Sequence, residues 1–163
     1  MRVERGTLDD LDRLVEGWID LAAEMREHGA RVRPADSRGV IREELGRALV
    51  GDRVHVVRED GAILGFASHR ADDGPLAADG DRALVTYLYV VPDRRGEGIG
   101  TDLFAAVEAD LRAAGYDEVA LEVLADNERA RRFYRRLGYE PHRLEMAKAL
   151  ADDESDNHSK DDA

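Results

Sequence analysis

Between Arg82 and Gly115 the chain changes character twice, and this stretch limits the possible folds most. "RALVTYLYVV", Arg82 to Val91, is the longest β-rich run, and it stops at Pro92. Three alternating glycines follow in "RRGEGIGT", Arg94 to Thr101. Ile99, Leu103, Phe104, Val107 and Leu111 then recur at helical spacing up to Gly115. A strand passing through a glycine turn into an amphipathic helix requires a sheet with a helix packed on it. The junction has a chemical consequence too. The first N–H groups of a helix lack internal acceptors, and the helix dipole makes them attractive to an anion such as phosphate. Glycines keep side chains out of the way and allow positive φ. Arg94 and Arg95 add planar cationic donors at the rim.

The remaining chain supplies further layers. Val3 opens a short strand, and Thr7 is a helix cap with Asp9 and Asp10 in the first turn. Leu8, Leu11, Leu14, Val15, Trp18, Leu21, Ala22 and Met25 mark a helix that stops at Gly29. A second helix is predicted from about Asp36 to Leu49. "RVHVVRED" and "AILGFASHRA" flank Asp60-Gly61, a strong hairpin signal. Asp72 to Asp81 is a loop. "DEVALEVL", Asp117 to Leu124, is a strand, and Asp126 or Asn127 caps a helix bearing Ala130, Phe133, Tyr134 and Leu137 and ending at Gly138. A final strand or hairpin is predicted over Tyr139 to Ala149. The order is β-α-α-β-β-β-α-β-α-β, an α/β (α+β) domain with a mixed central sheet over residues 1–150. Residues 151–163 form an acidic tail, expected to be disordered.

Composition excludes several chemistries. The 163 residues contain no cysteine, so disulfides, thiolate nucleophiles and Cys-ligated metals are out. No apolar run approaches the ~20 residues of a membrane span, and the first residues lack the apolar core of a signal peptide. A soluble cytoplasmic protein is therefore expected, with no membrane partner. The formal net charge is -12, and lysine stands only at Lys148 and Lys160 among 24 basic residues. This acidity is consistent with attraction of a cationic partner or with adaptation to high salt; the scarce lysine and evenly spread acids favour the second. No basic patch stands out, which argues against nucleic-acid binding. His28, His55, His69 and His142 are isolated and lack metal-ligand spacing, so no metal site is predicted and each is expected at the surface or hydrogen-bonded.

Two phosphate motifs fail on the glycine turn. No lysine follows a glycine as a Walker loop requires. The dinucleotide fingerprint would put Thr101 or Leu103 where a small residue belongs. What remains is R-x-x-G-x-G, Arg95 to Gly100, preceded by V-x-P. This turn resembles the acyl-CoA pyrophosphate loop of the GCN5-related N-acetyltransferase (GNAT) family. "NERARRFYRRLGYE", Asn127 to Glu140, resembles the same family's N-x-x-A-x-x-F-Y-x-x-x-G-[FY] segment, matching at Asn127, Ala130, Phe133, Tyr134, Gly138 and Tyr139. The order and spacing of the two segments fit as well, and the element order agrees over residues 1 to about 149.

The resemblance implies a GNAT-like, mostly antiparallel sheet flanked by helices, and acetyl transfer from acetyl-CoA to a primary amine by direct attack. It implies pyrophosphate binding by Arg95, Gly96, Gly98, Ile99, Gly100 and Thr101, with main-chain groups of Leu88 and Val90 along the pantetheine and thioester. Asn127 is a helix cap, and the resemblance adds a contact to the CoA arm. Tyr134 lies on an apolar stripe with Ala130, Phe133 and Leu137, and the resemblance makes it the general acid for the leaving thiolate. Relatives often carry a glutamate before the loop where this chain has Val85-Thr86-Tyr87, so no base is assigned; Glu122 is an alternative, as is a water chain. The acceptor is open: a protein N-terminus or lysine, a polyamine, an amino acid or an antibiotic-like amine. A monomer or homodimer is expected. The rival reading is a non-catalytic acyl-CoA-binding sensor or regulatory module.

Overall fold

A computed structural model describes residues 1–151. The acidic tail expected over 151–163 thus lies almost wholly outside the described residues. A five-stranded sheet runs in the order β1-β2-β3-β4-β5. β1 (Arg2–Arg5), β2 (Val54–Glu59), β3 (Ala62–Ala71) and β4 (Arg82–Val90) pair antiparallel, while β5 (Glu118–Leu121) joins β4 in parallel. The parallel pair is the one that a helical crossover must connect. That crossover is α3 (Ile99–Ala113).

The helices cover both faces. α1 (Leu11–Glu27) and α2 (Pro34–Val50) seal one face through Leu14, Trp18, Ile41 and Leu45 against Val54, Val56 and Phe66. α3 seals the other through Ile99, Leu103, Phe104 and Val107 against Val57, Ala67 and Val85. α4 (Glu128–Arg136) lays Phe133 and Tyr134 on Phe104, with ring centroids 6.0 and 5.6 Å away. Asp60-Gly61 forms the β2–β3 turn with φ of 50° and 82°, the left-handed geometry that this dipeptide suits.

One irregularity in β4 matters for function. Ser68 faces Tyr87 and His69 faces Val85, so Thr86 is an extra residue opposite no partner. Such a bulge shifts the alternation of the strand. Val85 packs with the α3 side, yet Tyr87, two residues on, packs with the α1–α2 side. The Thr86 hydroxyl is 2.7 Å from that of buried Ser68, which fixes the distortion.

The final strand predicted over Tyr139 to Ala149 is not formed: no regular structure occurs from Tyr139 to Ala151. Pro141 has no N–H to give to a ladder. Beyond it, polar His142 and charged Arg143, Glu145 and Lys148 interrupt the apolar positions, and Leu144 and Met146 stand 75% and 85% exposed. An alternating segment becomes a strand only where a partner edge and a covered face await it.

Candidate functional site

The glycine turn closes β4 onto α3. Gly96 and Gly98 have φ of 82° and 85°, where a side chain would be strained, and Gly98 is the helix N-cap. The first intrahelical bond runs from the Asp102 N–H to the Gly98 carbonyl, 3.0 Å. Among the described residues no side chain caps this helix, so the Ile99, Gly100 and Thr101 amides lack an acceptor. A Cβ at position 96 or 98 would meet no atom within 4 Å, so the space before these amides is open. Position 100 differs. A Cβ there would lie 3.1 Å from the Phe133 ring, so this glycine lets α3 and α4 approach.

The paired arginines point elsewhere. Arg94 donates to Glu97 at 2.6 Å and to Glu59 at 2.7 Å. Arg95 donates to Glu24 on α1 at 2.7 Å and to the Val90 carbonyl at 2.9 Å, and its guanidinium sits 5.9 Å from the Tyr89 ring centroid. Both fasten the turn to the rest of the protein. The attraction for an anion therefore comes chiefly from main-chain amides and the α3 dipole.

The turn lies beside a break in the sheet. β4 and β5 pair only from Arg82↔Glu118 to Val85↔Leu121. β4 continues to Val90, so past the bulge its β5-facing edge has no strand partner among the described residues. Leu88 and Val90 stand on this open edge. Their side chains pack toward α3, which leaves main-chain groups as what they can offer a ligand.

α4 flanks the same opening. The Asn127 side chain accepts from the Ala130 N–H at 3.1 Å, as a helix cap does. Tyr134 packs among Phe104, Phe133 and Tyr139. Burial pushes its hydroxyl up to about 12, so it keeps its proton at neutral pH. Glu122 is exposed beyond the end of β5.

Sequence reasoning missed three features. The arginine clamps could not be read because Glu24 and Glu59 are far away in sequence. The half-buried Glu44 accepts the Tyr87 hydroxyl at 3.1 Å, bringing a carboxylate of α2 to the bulge. The histidines are not all isolated: His55 and His69 are buried and 6.3 Å apart between ring centroids. His55 Nε2 lies 2.8 Å from Asp110, while His55 Nδ1 and His69 Nε2 have no partner among the described residues. Burial, then the neighbouring His55, lowers His69 to about 4, and burial also lowers His55 against the opposing pull of Asp110. The β2–β3 register that brings them together has no short-range signal. Among the described residues no group of three or more His, Asp or Glu is arranged to hold a metal, and no helix is long and apolar enough to cross a membrane.

The chain is similar to known proteins in sequence and in fold. The model of the acetyltransferase (GNAT) family matches residues 17–139. A mycothiol acetyltransferase of Clavibacter sepedonicus is 33% identical over 138 residues, covering 85% of this chain and 33% of the relative. One from Clavibacter michiganensis subsp. michiganensis is 42% identical over 105 residues, covering 59% of this chain and 34% of the relative. The chain thus spans about a third of the length of these two relatives. The crystal structure of a GCN5-related N-acetyltransferase from Ralstonia eutropha JMP134 superposes with a TM-score of 0.73 at 25% identity, covering 91% of this chain and 97% of that one.

Proposed function

Because the chain belongs to the GNAT family of acetyltransferases, we propose that it transfers an acetyl group from acetyl-CoA to a primary amine by direct attack. The observation that carries this reading is the open turn at Gly96 and Gly98, with three unused amides beside the unpaired edge of β4. These residues suit a pyrophosphate: donors converge on it, nothing crowds it, and the helix dipole favours its charge. The Ile99, Gly100 and Thr101 amides hold the anion. Arg95 acts by tying the turn to β4 and α1. Main-chain groups of Leu88 and Val90 align the pantetheine arm along the edge that β5 leaves bare. Asn127 keeps α4 in place by capping it and faces the same arm.

Placing an amine against the thioester turns an encounter between two molecules into a local step, the largest help such a site can give. The amine nitrogen attacks the carbonyl carbon and gives up a proton to solvent, the C–S bond breaks, and the sulfur departs with the electron pair. Tyr134 supplies the proton that the thiolate takes up and recovers one from solvent. Its raised pKa keeps that proton available throughout the neutral range.

The test is a screen of amines with acetyl-CoA, following free thiol and product mass. Thiol release that depends on an added amine supports the proposal. Tight acetyl-CoA binding with no turnover on any amine would instead favour the non-catalytic sensor.

A further inference from the structure

A cavity of about 440 Å³ opens between the C-terminal half of α2 and strands β3 and β4. Its volume suits a small molecule. Its floor is the bulge: Thr86 and Tyr87 line it, one residue before Leu88 on the open edge. A break between strands joins the two faces of a sheet. A thioester lying along the bare edge of β4 can thus be reached from this side.

The charges lining the cavity are unusual for this chain. Arg47, Arg53 and Arg70 stand on its wall against one carboxylate, Glu44, although the chain carries a net charge of -12. Many arginines elsewhere meet carboxylates, as in Arg58 with Glu4 and Asp10, or Arg82 with Asp72 and Glu118, although Arg26 donates only to a carbonyl. At the cavity two are held by neutral carbonyls. Arg53 donates to the Arg47 carbonyl at 3.2 Å and Arg70 to that of Ala71 at 3.0 Å. Arg47 reaches only Glu43, at a loose 3.8 Å on the exposed surface. Neutral acceptors orient a guanidinium without cancelling its charge, which leaves it able to pair with an anion. Glu44 offers the complement. Half-buried and oriented by the Tyr87 hydroxyl, it is suited to a cation.

We propose that this cavity takes the acceptor, and that the acceptor is a small amine that also carries a carboxylate: a free amino acid. Glu44 receives the ammonium beside the thioester and accepts the proton that the amine sheds before attack. Arg53 and Arg70 receive the carboxylate. The inference rests on the acetyl-transfer reading for its chemistry, but its charge selectivity stands on the cavity alone.

The probes are amino acids paired with their own primary amides, which keep the amine and side chain and remove the negative charge. Two readouts are taken. Amine-dependent thiol release reports transfer. Fluorescence of Trp18, whose ring packs edge-on against Tyr87 at 6.1 Å, reports binding with or without turnover. The expected result is a preference of about tenfold or more for an acid over its amide in both readouts, as charged hydrogen bonds contribute. Arg53→Met and Arg70→Met should each shrink that preference by raising KM for the acid more than they lower kcat. Calorimetric affinity for acetyl-CoA, unchanged in these variants, confirms that they fold. Equal use of acid and amide, or a preference that survives both substitutions, overturns the inference and leaves acetyl transfer standing. Selective binding of acids with no turnover keeps the cavity assignment and overturns acetyl transfer. A peptide used as well as the free amino acid of its first residue also overturns the inference, because the anion would then lie far from the amine.

Discussion

The C-terminal end and the middle of β4 present themselves to ligands in opposite ways. At its C-terminal end the strand enters a turn whose useful groups are main-chain amides, exposed because Gly96 and Gly98 carry no side chain. Near its middle, the cavity is lined by side chains from α2, β3 and the segment at Arg53. On the proposed reading, the turn holds one chemical feature, an anion of phosphate shape. The cavity's character follows from which side chains stand there. A common donor and a variable acceptor are what this division suits.

The severest way to break the contrast is to give the turn a side chain with charge. Gly98→Asp should lower acetyl-CoA affinity by at least about a hundredfold, since a like charge set against the pyrophosphate costs several kcal/mol. Gly98→Asn imposes similar backbone strain without the charge and should lose clearly less. Calorimetric titration of both separates charge from strain, and equal losses would mean that the amides are not the anion site. Next comes the proton donor. Tyr134→Phe should reduce kcat by roughly 10- to 1,000-fold with little change in acetyl-CoA affinity. Unchanged turnover on a genuine acceptor would remove Tyr134 from the mechanism.

Gly100 offers a milder test because it serves packing. Gly100→Ala pushes a methyl group to 3.1 Å from the Phe133 ring and should destabilise the fold by about 1–3 kcal/mol, read as a lower denaturant midpoint. A variant as stable as the parent would show that α3 and α4 have slack between them. The smallest effect concerns pH, and it spares the turn, which uses no histidine. Buried His69 titrates near 4, against ~6.5 in an unfolded chain. Between those values the unfolded chain binds more protons, so stability rises with pH. It is fully present above about 6.5 and is lost progressively as pH falls toward 4, with lowered His55 acting in the same direction. Asp110 opposes the shift, while Arg5 and Arg53 add to it. Denaturation curves for the wild type and His69→Gln between pH 4 and 7 should diverge, the variant being flatter; parallel curves would refute the assignment.

The same contrast accounts for what the sequence could tell. The turn was legible because its geometry demands particular residues in order: Pro92 to stop the strand, glycines for positive φ, then apolar spacing for α3. The Asp60-Gly61 hairpin and the Asn127 cap were legible for the same local reason. The cavity was not, because Glu44 and Tyr87 meet only after α2 has crossed the sheet. Arg94 and Arg95 were visible as a pair, but their direction was not, since it depends on Glu59 and Glu24. The histidine pair depends on β2–β3 register. The predicted last strand failed from the other side: Leu144 and Met146 alternate correctly, but alternation cannot show that a partner edge is waiting.

The extra residue at Thr86 has a consequence for descent as well as for shape. It divides one strand into two stretches whose side chains follow independent alternations. A lineage that straightened the strand at Thr86 would bring Val85 and Tyr87 onto one face and lose the contact of Tyr87 with Glu44.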